Sequence, residues 1–231
     1  MIAARAAMLF GAVLIVLVAI GAADPDTQPS ALRLMASAAV ALLAPLFWPG
    51  VTAPRRATLF RIVVWSTAAC CVAILPMVAM ARAKQPLPDV LQSCAMLALI
   101  LLVSHTAAAM LEGRWSQASS DAREMAGRAV MMTLALLGSL PFWLGPAGEL
   151  LSSRHPSVID TMLGLSPLTH LAVASGNDLL RNAWLYQHTN LAGLQFDYPG
   201  LAGLAWFYIT LLLGVVAMTA ARSDRPTEKT R

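Results

Sequence analysis

The chain has 231 residues, of which 58% are hydrophobic and 12% charged, with a formal net charge of +4 and a mean hydropathy of +0.67. A water-soluble domain carries roughly a quarter charged residues to wet its surface, so this composition excludes an ordinary soluble fold and points to lipid as the solvent. The positive balance forms no basic face: Lys and Arg punctuate the ends of apolar runs, where they set membrane orientation, and no nucleic-acid-reading motif accompanies them.

A helix needs about 20 apolar residues to cross about 30 Å of hydrocarbon. Stretches 6–22, 31–48, 58–81, 91–111, 129–145 and 201–221 qualify, and each is free of Asp and Glu. Helices are expected because lipid leaves every backbone N–H and C=O to be satisfied within the segment. Runs such as 97–103 are apolar on every side, which excludes the alternation of a membrane barrel. The expected fold is therefore an all-α membrane protein, one polytopic domain over 1–231 with about six spans. Stretch 6–22 also resembles a cleavable signal ending at Gly21-Ala22-Ala23, although its length favours a retained span.

Breakers punctuate the connectors at Asp24-Pro25, Pro49-Gly50, Pro86 to Pro88 and Glu112-Gly113, while Pro45, Pro76 and Pro141 fall inside spans and predict kinks. Counting basic residues by side puts Arg5, Arg55, Arg56, Arg61, Arg114, Arg123, Arg128, Arg222, Arg225, Lys229 and Arg231 together. Arg33, Arg82, Lys84, Arg154 and Arg181 fall opposite. The excess predicts a multi-pass protein of the plasma membrane, the inner membrane of a bacterium, with both termini cytoplasmic.

The long connector 146–200 is too apolar for a free loop. Ser166-Pro167 is a helix start, with Ser as cap and Pro at the first helical position. Ser175-Gly176-Asn177-Asp178 then ends one short helix and caps the next. The expectation is a set of short amphipathic helices lying on the outer interface or dipping partly into it, before the last span. Asp160, His170, Asp178 and Arg181 form its predicted polar face, and Trp184, Tyr186, Tyr198 and Trp206 suit an interfacial belt.

Motifs for catalysis are absent: no nucleophile elbow, no zinc-protease helix, no dinucleotide fingerprint and no phosphate-binding loop. The chain is expected to be no enzyme and to carry no cofactor, and any ATP-driven role needs a separate ATPase. Cys70, Cys71 and Cys94 have no metal or redox spacing, and His155, His170 and His188 match no metal template. Ser104 and His105 form the one ionisable site deep in a span, a packed histidine or a position for ligand, haem or proton work. Ser66, Thr67, Cys70 and Cys71, like Thr210, Gly214 and Ala217, recur at helical spacing and suit close helix packing.

About six spans, both ends inside and a helical outer segment before the last span resemble the permease subunit of ABC-2-type transporters. The run from Ser104 through Trp115-Ser116-Gln117-Ala118-Ser119 to 126–135 is similar to that family's cytoplasmic turn entering a small-residue helix. The resemblance implies a permease paired with separate ATPase subunits, contacted through Arg55, Arg56, Arg61, Arg114, Arg123 and Arg128. It also implies outer elements that partly re-enter the membrane. Where that family carries an acidic coupling element, 49–61 here is purely basic. A non-catalytic assembly protein that docks a partner through 146–200 is the alternative.

Overall fold

The computed structural model describes residues 34, 37, 38, 40, 41, 87–114, 119–143, 156–178 and 196–223. Among these the structure is entirely helical, with no strand. The elements are α1 (Leu87–Arg114), α2 (Ser120–Trp143), α3 (Pro156–Leu165), α4 (Pro167–Ala174) and α5 (Leu201–Ser223). Residues 34, 37, 38, 40 and 41 are also helical. The expected spans 6–22 and 58–81, and most of 31–48, lie outside the described residues.

Among the described residues two helices are long and apolar enough to cross a membrane, Leu87–Glu112 within α1 and Leu201–Met218 within α5. At 1.5 Å per residue the 26 residues of the first reach ~39 Å, beyond the ~30 Å of hydrocarbon. Asp89 in the first turn of α1 faces the positive end of the helix dipole. Gly113 does not stop the helix, which runs through the expected breaker to Arg114 and buries Glu112 at 3% exposure. A lone glycine lowers helix stability by only about 1 kcal/mol, which the packing of the preceding turns offsets.

α2 begins where the Ser119 hydroxyl accepts the Ala122 N–H at 3.3 Å, an N-cap reinforced by Asp121 in the first turn. Its continuous apolar stretch, Met125–Pro141, is shorter than the two above. Pro141 lies inside the helix, two residues before its last described residue, Trp143.

The core sits where α1 meets the short helices. Leu97, Ile100 and Leu101 of α1 are fully buried and share one cluster with Ile159, Leu163, Leu168, Leu171, Leu204 and Tyr208. Those α1 positions recur at three and four residues, the period of one helix face. Among its described side chains α5 buries a narrow stripe, Leu204, Tyr208 and Val215, and exposes Trp206, Phe207, Leu211, Leu213, Val216 and Met218. Such a surface suits acyl chains. Thr210, Gly214 and Ala217, expected in a helix-packing face, are exposed, and a methyl group added at Gly214 would meet no atom within 4 Å.

α3 and α4 form a broken pair, bent by 70° at Ser166. The cause is local: a residue before proline is driven out of the helical region, and Ser166 has φ −74° and ψ 119°. The sequence expectation of a helix starting at Ser166-Pro167 therefore holds. Of the two expected placements, an amphipathic helix lying on the interface is corrected for α4, where Pro167 through Ala172 and Ala174 are all buried. Eight residues with no sustained polar side cannot lie on a water interface, and α1, α2 and α5 close around them instead.

Candidate functional site

A break that buries a helix end leaves backbone groups that the chain itself or neighbouring side chains must satisfy. At the far end of α4 the chain solves this alone. Gly176 adopts φ +67°, the left-handed conformation that glycine takes without strain. Asn177 N–H then reaches the Ala172 carbonyl at 2.9 Å and Gly176 N–H the Val173 carbonyl at 3.1 Å. This is a Schellman cap. The Ala174 carbonyl receives the Ser93 hydroxyl of α1 at 3.2 Å.

At the break, His170 carries the connection. Its Nε2 lies 2.8 Å from the Gly164 carbonyl of α3, and its Nδ1 lies 2.7 Å from the Tyr208 hydroxyl of α5. A carbonyl only accepts, so Nε2 holds the proton. In the neutral ring Nδ1 is then the acceptor, and Tyr208 donates to it. The imidazole is 1% exposed and packs edge-on against Tyr208 and Phe207, with centroids 5.5 and 6.2 Å apart. One side chain thus ties both halves of the broken helix to the last helix.

A third tie comes from the cap residue. No backbone N–H of α4 is capped by the Ser166 side chain, whose hydroxyl instead donates to the Gly138 carbonyl of α2 at 3.3 Å. Beyond α4, Tyr198 donates to Asp178 at 2.7 Å and stacks edge-on with Phe196 at 5.1 Å.

The start of α4 is different. Ser93, Ser104, Thr106, Thr133, Ser139 and Thr161 each satisfy a hydroxyl on a carbonyl three or four residues back. Thr169 has no such acceptor, since the residue four back lies beyond the bend. Its Oγ1 is buried and without a hydrogen-bond partner, as is Ser37 Oγ.

The predicted site residues separate. His170 leaves the expected polar face and joins the core, because the break needs its two ring nitrogens. Asp160 remains exposed on α3, and Asp178 is half-buried against Tyr198. Ser104 and His105 are both buried in α1, at 5% and 4% exposure, and the Ser104 hydroxyl turns back to the Ile100 carbonyl. Arg128 is exposed on α2. Arg114 lies in the last turn of α1 and Arg123 in the first turn of α2. Arg55, Arg56, Arg61 and Arg181 lie outside the described residues. Tyr208 was missed by sequence reasoning. Its signal is a hydroxyl on a mostly apolar helix, a feature that Thr210 and Thr219 share. Among the described residues no group of three His, Cys, Asp or Glu side chains could hold a metal ion.

Compared with protein families, curated proteins and solved structures, the chain matches none. What the described residues define is a helical membrane protein, with two helices able to span and, between them in the chain, a broken pair whose second helix is buried.

Proposed function

We propose that this chain is the membrane-embedded permease subunit of a transport complex, moving its solute past the α3–α4 break and drawing energy from a separate ATPase. The observation that supports this reading is the break itself. Irregular backbone at membrane depth is tolerated only where protein buries it or where it lines a cavity, and broken helices recur at the solute sites of transporters. Here the break lies well below the helix ends: Tyr208 is seven residues into α5, ~10 Å along its axis. The basic turn at 114–128, with Arg55, Arg56 and Arg61, is the proposed contact for the ATPase, and the lipid bilayer is the other partner.

The test is thiol labelling at the break. Gly164→Cys is tolerated sterically, since a side-chain carbon there meets only Phe196 at 3.9 Å. In full-length protein with Cys70, Cys71 and Cys94 replaced by serine, a small hydrophilic thiol reagent added to membranes should label position 164. A site sealed to the reagent in every condition would refute a solute path and favour the assembly-protein alternative.

A further inference from the structure

The 70° break between α3 and α4 is a hinge, and His170 is the side chain that closes it. The backbone bonds on either side of Ser166, from its N–H to the Leu163 carbonyl at 3.2 Å and from the His170 N–H to its carbonyl at 3.3 Å, are at the long end of the range. His170 spans the bend, with Nε2 on the Gly164 carbonyl of α3 and Nδ1 on the Tyr208 hydroxyl of α5. That arrangement fits the neutral ring. An imidazolium donates from both nitrogens. The Tyr208 oxygen would have to accept, its own proton would lose the acceptor it now has, and a charge would sit at a position 1% exposed.

The neighbouring elements bring no described carboxylate onto the ring, whose hydrogen bonds go to Gly164 and Tyr208. On α3 the one carboxylate, Asp160, is exposed. α1 joins the surrounding core through Leu97, Ile100 and Leu101. Its ionisable groups lie outside that stretch of the chain, Asp89 and Cys94 before it and His105, Glu112 and Arg114 after it. α2 reaches α4 at Gly138, while Asp121, Arg123, Glu124 and Arg128 belong to its first half, with Arg128 ~15 Å away along the axis. α5 adds Tyr208, which keeps its proton across the imidazole range, and Arg222 in its last turn.

We propose that His170 is a proton-operated latch: a proton taken up at Nδ1 releases Tyr208 and opens the α3–α4 hinge. Closed, the ring is neutral. Open to water, it binds a proton with ordinary imidazole affinity, half-saturated near pH ~6.5. The open state therefore binds more protons, so closure is favoured above that value and weakens as the pH falls below it. The shift toward opening is at most about tenfold per pH unit, or about thirtyfold at pH 5. The latch goes beyond the permease reading and does not depend on it.

Paired nitroxide labels read the hinge directly. In full-length protein with Cys70, Cys71 and Cys94 replaced by serine, labels are attached at Val158→Cys on α3 and Leu213→Cys on α5, both exposed positions. Their distance distribution is measured by pulsed electron resonance in uncharged micelles from pH 8 to pH 5. One distance is expected at pH 8, with a second population growing below pH ~6.5. His170→Gln keeps one donor and one acceptor but does not titrate, and should hold the pH 8 distribution throughout. Tyr208→Phe removes the bond that closes the latch, so the second population should appear at higher pH. A parent distribution that does not change with pH overturns the proposal. So does a transition that His170→Gln leaves in place, or one that Tyr208→Phe leaves unmoved. Labelling at position 164 reads access by a reagent and this experiment reads a distance, so failure of one test does not decide the other.

Discussion

Tyr208→Phe isolates the hydrogen bond between α4 and α5. The substitution keeps the ring that packs edge-on at 5.5 Å against His170 and removes only the hydroxyl 2.7 Å from Nδ1. Because the imidazole is 1% exposed, water cannot replace the lost donor, and a buried acceptor left open costs about 1–3 kcal/mol. Interhelical hydrogen bonds in membranes average nearer 0.6 kcal/mol, with ~1.7 as a maximum, because the unfolded chain in lipid also finds partners. The expected loss is therefore about 1–2 kcal/mol, a shift of roughly five- to thirtyfold in the folding equilibrium. The assay is reversible unfolding in mixed micelles, followed by tryptophan fluorescence, for wild type, Tyr208→Phe, His170→Phe and the double variant. The cycle should return a coupling of ~1 kcal/mol. A Tyr208→Phe variant within ~0.3 kcal/mol of wild type, with no coupling to His170, would refute the reasoning.

Further outcomes follow from the same contacts. Gly176→Ala should destabilise by ~1 kcal/mol through backbone strain alone, since φ is +67° and no atom stands within 4 Å of the added carbon; calorimetry of the purified protein reads this directly. Leu101→Ala, at a fully buried position, should lose about 2–5 kcal/mol in the micelle unfolding assay. Ser166→Ala removes the donor to Gly138 and should cost ~1 kcal/mol, read as faster hydrogen exchange at the end of α2. Thr169→Val should be neutral or stabilising by up to ~1–3 kcal/mol in the micelle unfolding assay, because it removes a buried hydroxyl that has no partner. A clear loss of stability would show that the hydroxyl is already satisfied.

The parts of this structure that were readable in advance are those governed by neighbours in the chain. Apolar length marked α1 and α5, Ser166-Pro167 marked the break, and Ser175 to Asn177 marked the end of α4, where Gly176 supplies the cap. The last two depend on chemistry within about six residues, and the first on the composition of a single continuous stretch. The burial of His170 does not. Its polarity suggested water, yet what determines its position is a carbonyl released by the bend and a phenol 38 residues away. The same holds for Glu112, which reads as part of a connector and is enclosed by packing contacts from elsewhere.

The ties on α4 also have a consequence for biosynthesis. Helix formation over eight residues is too short to be held by the translocation machinery as a span, and its hydrogen bonds reach Ser93 and Gly138, made earlier, and Tyr208, made later. The short helix therefore cannot settle until the final helix has left the ribosome and entered the bilayer. A nascent chain arrested ahead of Tyr208 should leave this region open to protease, and release of the remaining residues should close it.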